Sequence, residues 1–468
     1  MKTNRKLHKL LIRNVGHSVL RSLTDEFPVL RRVDELDQVY HLPREELLSR
    51  QWEKLRKVVK AAYESCPYYT ELLDGIGMKP GDIKTPADYA RIPFLTKAVI
   101  RKRAKDMLAR GADTSKLVES GTAGTTDMPI TFYRTREVGQ EKWAQTASFN
   151  RWYGWDVGDP VAFLWGAAMD IYKPMSLRGR VKKFLINQDV LLPTVPLTEQ
   201  ELAHHWKTLE RFAPRVIQGY PVPLYLLARH VKEAGGRLDL PDLAAIVATA
   251  EPLYDYQREL VEEMFPCKVY DRYGARETGL ISQECAAERA LHINTEGVYL
   301  EIIADGRPAE EGETGEVIVT DLHNTTMPFL RYQLGDVAAL STRACSCGSG
   351  LPIMHSITGR VGDLVVLPNG VVVPGFWFPA RLVKYVPNAV EQLQVIQEEP
   401  LRFTIKYVPG ANFSRNDMAK MQEMFVILFG KEPRADWVVV DDIPRDRSGK
   451  TRVCISKVSA DFLGVKPE

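Results

Sequence analysis

A chain of 468 residues, 45% of them hydrophobic and 26% charged, can bury a large core and is expected to divide into more than one domain. Its 62 basic and 60 acidic residues leave a net charge of +2, which argues against a nucleic-acid partner, and six cysteines in this length do not suggest a disulfide framework. No apolar run approaches the ~18 residues of a membrane span and the start lacks a signal-peptide core, so a cytoplasmic protein is expected, monomer or homodimer. The first 24 residues carry Lys2, Arg5, Lys6, Lys9, Arg13 and Arg21 without an acid. They read as a solvated helix, with contact to an anionic membrane surface as the alternative. Leu48, Trp52, Leu55, Val59 and Ala62, spaced by three and four, predict a helix with one face on a core.

From about 140 to 270, apolar runs such as VAFLW, RVIQG, AAIVATA and KVYDRYG alternate with helical stretches. That alternation predicts parallel β-α-β units, whose ligands sit beyond the carboxyl ends of the strands. After residue 280 the pattern turns to short alternating runs with Gly and Pro turns, read as antiparallel strands or a small barrel. Beyond GRVGD a strand-and-helix module of its own begins, opening with an Asn-Gly hairpin in LVVLPNGVVVP. The fold class is thus α/β plus α+β. A large N-terminal domain (1–362) holds the parallel sheet and a small antiparallel β region, and residues 363–468 form a small mobile α+β domain.

Between Glu119 and Pro129 lies ESGTAGTTDMP, dense in glycine and hydroxyls. Such a loop lets backbone N–H groups turn inward and can wrap the phosphates of a nucleotide; a flexible surface turn is the alternative. It is not a Walker A loop, because no Gly-Lys-Ser/Thr follows. Downstream come VYDRYGARETG (269–279), FLRYQLGDV (329–337), ITGRVGDLVV (357–366) and DIPRDRSGKTR (442–452), in that order. Together with LPREELLSRQWEKLRKVVKAAYESCPYYTELL and IPFLTKAVIR, these strings resemble the acyl-adenylate-forming ligases, specifically the phenylacetate-CoA ligase branch with its CapK-like relatives, from about Leu42 to Lys457.

The resemblance implies ATP-dependent activation of a carboxylic acid to acyl-AMP with release of pyrophosphate, followed by acyl transfer. The carboxylate attacks the α-phosphorus, so the protein must position and neutralise two anions and needs no side-chain nucleophile. By resemblance, Ser120, Gly121, Thr122, Gly124, Thr125 and Thr126 cradle phosphates, and Glu251 lines the adenine end. Tyr273, followed by Gly274, stacks on adenine; Glu277 holds Mg²⁺; Asp336 bonds the ribose hydroxyls and Arg360 contacts ribose or phosphate. Asp363 is the hinge, and Lys450 is the mobile lysine that bridges carboxylate, α-phosphate and ribose. The chain departs from the family at Asp127, where a lysine is often found, and at Gln333 and Leu334. Arg276 stands before Glu277 in place of Ser or Thr and is read as the substitute cation on the α-phosphate. These departures leave room for a catalytically weakened nucleotide-binding protein as the remoter reading.

Cys285 precedes His292 by six intervening residues and Cys345 precedes Cys347 by one, with 52 between the pairs. Three thiols and an imidazole make a tetrahedral zinc set, with reduced core thiols as the alternative; the family resemblance favours a structural Zn²⁺. His204 and His205 read as surface or packing residues. The acid is expected to be small or aromatic, near Trp165, Tyr220 and Tyr225, with coenzyme A as the expected acceptor. An acyl carrier protein or an amine in polysaccharide or specialised-metabolite biosynthesis is the alternative.

Overall fold

A computed structural model of the chain describes residues 27–121, 130–165, 189–194, 199–250, 253–355, 357, 359–360, 364–366, 372–374, 386, 389–410, 412–429, 433–444, 452 and 454–458. Thr122, Gly124, Thr125, Thr126, Glu251, Asp363, Lys450 and the basic N-terminus lie outside the described residues, as does the side chain of Arg360.

Helices α1 (Phe27–Val39) and α2 (Arg44–Ser65) open the described chain. The sequence placed Leu48, Trp52, Leu55, Val59 and Ala62 on the inner face of α2. The structure buries Leu55, Val59 and Ala62 and packs Trp52 against the same core, but it adds Leu47, Gln51 and Val58 and leaves Leu48 41% exposed. The stripe is rotated because Gln51 is drawn inward, its amide donating to the Val298 carbonyl at 2.7 Å. Extended backbone at Cys66 and Pro67 at the first position end α2 and start α3 (Pro67–Gly75), as expected where proline lacks the N–H that would continue the helix. Thr96 caps α4 (Lys97–Met107) by accepting from Val99 N.

The glycine-rich stretch joins two paired strands, β1 (Val118–Gly121) and β2 (Thr131–Arg134), with Gly121 opposite Thr131. Thr135 then caps α5 (Arg136–Arg151). The expected α/β alternation follows: β3 (Val161–Trp165), β4 (Asp189–Pro193), α6 (Glu199–Phe212), β5 (Val216–Gly219), α7 (Pro221–Glu233), β6 (Ala245–Thr249), α8 (Asp255–Met264) and β7 (Lys268–Ala275). These strands run parallel in the order β4-β3-β5-β6-β7. Every residue of β6 is buried, because helices cover both faces. Ile246 and Ala248 face α6, α7 and α8, whereas Ala245 and Val247 face α1 and α5.

The antiparallel strands expected after residue 280 continue this sheet along one hydrogen-bonded path. They are β8 (Gly279–Glu284), β9 (Leu291–Ile293), β10 (Val298–Ala304), β11 (Arg307–Pro308), β12 (Thr314–Asp321), β13 (Tyr332–Ser341), β14 (Ile353–Met354) and β15 (Gly359–Arg360), in the order β11-β10-β12-β13-β14-β9-β8-β7, with β15 on β13. Beyond them, β16 (Leu364–Val366) pairs with β17 (Val372–Pro374) as a hairpin. A sheet of β18 (Val390–Glu399), β19 (Arg402–Pro409), β20 (Arg434–Val439) and β21 (Cys454–Ser456), with α9 (Arg415–Phe429), encloses its own core around Phe403, Ile405, Met421 and Phe425. Among the described residues no helix is long and apolar enough to cross a membrane.

Candidate active site

The RYGARETG string makes the turn between β7 and β8. The strand register slips between Tyr273 and Gly274, and a Cβ at Gly274 would lie 2.7 Å from the Gly279 carbonyl oxygen, so only glycine lets the two strands close. Gly279 completes the turn in the left-handed region (φ 83°). The turn presents Glu277, which is 5% exposed.

Asp336 sits on β13, paired in register with Arg360 on β15. Three strands separate β13 from β7 along the sheet, yet the Tyr273 hydroxyl donates to Asp336 Oδ2 at 2.7 Å and the Tyr332 hydroxyl donates to Glu277 Oε1 at 2.8 Å. The sheet therefore curves until the two strings meet. Of the predicted site residues, Tyr273, Glu277 and Asp336 are brought together, the Arg360 backbone lies beside them, and Ser120 and Gly121 end the hairpin that carries the glycine-rich loop. Among the described residues no lysine or arginine pairs with the Glu277 carboxylate. A buried carboxylate with a single hydroxyl donor keeps acceptor sites for a cation and suits Mg²⁺.

Three contributors escaped the sequence reading. Lys142 of α5, buried, donates from Nζ to the Glu277 carbonyl at 2.7 Å and to Asp321 Oδ2 at 2.7 Å. Its stem packs where a Cβ on Gly279 would be, 3.1 Å from Cδ, so one side chain braces both ends of the turn. The signal was present: Val138, Lys142, Gln145 and Phe149 share one helical face, and a lysine inside such a stripe calls for a partner. Tyr332, read only as part of a string, is the group that touches Glu277. Arg134, at the end of β2, has a buried Nε without a hydrogen-bond partner among the described residues. Burial, and after it the neighbouring charge of Arg276, hold its guanidinium below the ordinary value against the pull of Asp321. Two arginine charges, Arg134 and Arg276, thus act on one another beside the hairpin of residues 118–134.

Arg331 behaves differently from its neighbours in the string. Its backbone is left-handed (φ 48°), and its guanidinium donates to the carbonyls of Ala90 and Ile92 (2.6 Å to the latter), pairs with Glu301 at 3.0 Å and lies over Phe94, 4.4 Å from the ring centre. It clasps the IPFLTK segment, whose Leu95 bridges to Tyr332, and does not join the Tyr273 cluster.

Known proteins resemble this chain in sequence and in fold. Residues 370–457 match the CapK C-terminal domain. The chain is 28% identical to a phenylacetate-coenzyme A ligase of Thermus thermophilus, over 76% of this chain and 79% of that protein. It is 24% identical to the protein CapK of Staphylococcus aureus, over 92% of each. The crystal structure of a 2-hydroxyisobutyryl-CoA ligase in the postadenylation state with its acyl-AMP shares the fold, with a TM-score of 0.72 at 18% identity over 90% of this chain and 91% of that one. By these likenesses the chain is similar to the acyl-adenylate-forming ligases of the phenylacetate-CoA ligase and CapK-like branch.

The predicted Cys/His set also assembles. Ligand atoms of Cys285, His292, Cys345 and Cys347 all lie within 4.8 Å of one another. Cys285 Sγ is 3.6 Å from Cys345 Sγ, Cys347 Sγ is 3.4 Å from His292 Nε2, and His292 Nδ1 is 3.3 Å from the Leu351 carbonyl oxygen. Burial pushes the Cys285 thiol up, but hydrogen bonds with His292 and nearby backbone outweigh it and bring it down to about 6, while burial raises Cys345 to about 12. Zinc–thiolate bonds of ~2.3 Å put tetrahedral ligand atoms roughly 3.5–3.8 Å apart, so this set could hold Zn²⁺ with little movement. His205, expected to be a packing or surface residue, is buried with its Nε2 2.7 Å from the Pro193 carbonyl oxygen.

Proposed function

We propose that the chain joins a carboxylic acid to the AMP moiety of ATP, releasing pyrophosphate, and then passes the acyl group to a thiol such as coenzyme A. The observation that carries this reading is the meeting of Tyr273 with Asp336 and of Tyr332 with Glu277 across the curved sheet. Adenine would stack on Tyr273, the ribose hydroxyls would replace the tyrosine on Asp336, and the phosphates would fall between the glycine-rich hairpin, Arg134 and Arg276. A carboxylate oxygen of the acid forms the new bond to the α-phosphorus as the bond to pyrophosphate breaks, so positioning and charge neutralisation supply the catalysis. Glu277 would hold Mg²⁺, which when bound neutralises phosphate charge, and Lys142 keeps the Glu277 turn in place.

The same reading divides the chain into residues 1–362 and 363–468, with Asp363 as hinge and Lys450 delivered by rotation of the small domain. Zn²⁺ at Cys285, His292, Cys345 and Cys347 would be structural, because three thiols and an imidazole complete a tetrahedron without an open position. A carrier-protein thiol or an amine is the alternative acceptor for the last step. Acid-dependent exchange of labelled pyrophosphate into ATP tests the first step. Exchange with at least one carboxylic acid is expected, and none across aryl, short aliphatic and dicarboxylic acids overturns the proposal. Mass analysis of products formed with coenzyme A or an amine then identifies the acceptor.

A further inference from the structure

Arg272 immediately precedes the adenine-side tyrosine, yet its side chain takes the other face of β7. It is 6% exposed and is held by neutral groups alone: Nε donates to Gln283 Oε1 at 2.5 Å, Nη1 to Gln218 Oε1 at 2.8 Å, and Nη2 to Asn150 Oδ1. Gln283 is itself fixed by donating to the Phe149 carbonyl at 3.1 Å. These bonds engage three of the five N–H donors of a guanidinium. Among the described residues no carboxylate pairs with it. The ionisable group that acts on it is Tyr153, which burial keeps neutral by pushing its hydroxyl well above the ordinary value. Burial lowers the guanidinium only to about 10, so it stays charged near neutrality. A buried cation caged by amide dipoles is costly, and it is accounted for when an anion supplied from outside completes it.

Its position says which anion. Arg272 lies opposite Thr249, the last residue of β6, beside Gln218 of β5, at the carboxyl ends of the parallel strands where ligands of such sheets sit. The residue after Thr249, Ala250, holds a left-handed backbone (φ 71°), a strain that structures retain mainly at binding sites. By strand alternation Trp165 of β3, Gln218, Thr249 and Arg272 share one face, and Trp165 stacks at a tilt on Tyr220, 4.6 Å between ring centres. Gln218 is the least buried member of the cage, an approach to the guanidinium from that face. Tyr273 and Asp336 occupy the opposite side of β7; on the Arg272 side α1 and α5 cover Ala245 and Val247, and the acid would take the carboxyl-end edge beyond them.

Building on the adenylation reading, we propose that the acid activated here is a dicarboxylic acid, whose second, unreacting carboxylate docks on Arg272 while its carbon skeleton rests against Trp165. Pyrophosphate exchange with matched probes tests this: butyrate against succinate, and phenylacetate against 4-carboxyphenylacetate. A bidentate or charge-assisted contact completed in a buried site predicts a kcat/KM at least about tenfold higher for the dicarboxylate in one pair or both. Arg272→Met should erase that ratio. Gln218→Glu, which places a carboxylate of the chain's own on the guanidinium and removes no side chain from the cage, should do the same. Equal use of both members of each pair, or variants that lower both members in proportion, overturns the proposal and leaves adenylation standing. Absence of exchange with every probe overturns the adenylation reading, and this proposal with it.

Discussion

Strand β8 carries one cluster at each end. Glu277 lies just before its start and Cys285 just after its end, roughly 20 Å apart at the rise of an extended strand. At the far end, four ligand atoms converge within 4.8 Å, two of them, Cys345 and Cys347, brought in by the loop after β13. At the near end, two carboxylates each meet a tyrosine hydroxyl from a strand far apart in sequence, Asp336 that of Tyr273 and Glu277 that of Tyr332. The difference separates a site built to stay closed from one built to exchange partners. Stability should accordingly follow the first cluster and the braces of the second, whereas turnover should follow the second alone.

The largest break in that comparison should come from Lys142→Met. It removes the ammonium from the buried Asp321 carboxylate, leaving it the backbone N–H groups of His323 and Asn324, and frees the Glu277 turn; loss of one partner from a buried pair costs about 3–5 kcal/mol. Urea unfolding reads it; an unchanged midpoint would show that α5 does not brace the turn.

Next is Glu296, 1% exposed and met by Arg32, Arg50 and Lys54, which fastens α1 and α2 behind the nucleotide end. Burial pushes its carboxyl up, but Lys54 and Arg32 outweigh this and hold it at about 2, against an ordinary 4.5. Because the folded pKa is depressed, the stabilisation is complete above about pH 4.5 and is lost as the pH falls towards 2. It amounts to on the order of 3 kcal/mol. Unfolding free energies of the wild type and Glu296→Gln should differ most above pH 4.5 and converge towards pH 2; a gap independent of pH would contradict the assignment.

A pair of substitutions then sharpens the contrast between the ends of β8. Glu277→Gln should lower pyrophosphate exchange by about 100-fold, near 2.7 kcal/mol in transition-state stabilisation, with its melting temperature close to that of the wild type. Cys347→Ser should do the reverse. Bound zinc should fall from one per chain towards none, and the melting temperature should drop by several degrees, for a loss of about 2 kcal/mol. Matching effects of both changes on both measurements would erase the distinction. The smallest effect belongs to Tyr273→Phe: the hydroxyl bond to Asp336 is worth about 1 kcal/mol, so the KM for ATP should move about fivefold or less while ring stacking persists.

Local strings foretold the strands because alternation and turn residues are themselves local. AAIVATA reads as a strand buried on both faces, and the Gly274 turn needs no partner beyond its own hairpin. Family resemblance marked Tyr273, Glu277 and Asp336, and residue type and spacing marked the Cys/His set, before any geometry was known. What stayed hidden depends on the curvature of the sheet. Nothing in FLRYQLGD separates Arg331, which reaches back to Ala90 and Ile92, from Tyr332, which reaches forward to Glu277. The inward turn of Gln51, which leaves Leu48 exposed, follows from a carbonyl 247 residues away. Lys142 and Arg272 were legible only as charges in apolar company, and their partners come from other elements.

The central claim is that these dispersed strings hold one nucleotide, and a crystal structure with a non-hydrolysable acyl-adenylate tests it most directly. The account predicts adenine against the Tyr273 ring, ribose hydroxyls on Asp336 in place of the tyrosine hydroxyl, and the phosphate between Arg134, Arg276 and the hairpin of residues 118–134. An adenylate bound elsewhere, with the Tyr273–Asp336 and Tyr332–Glu277 bonds undisturbed, would contradict it.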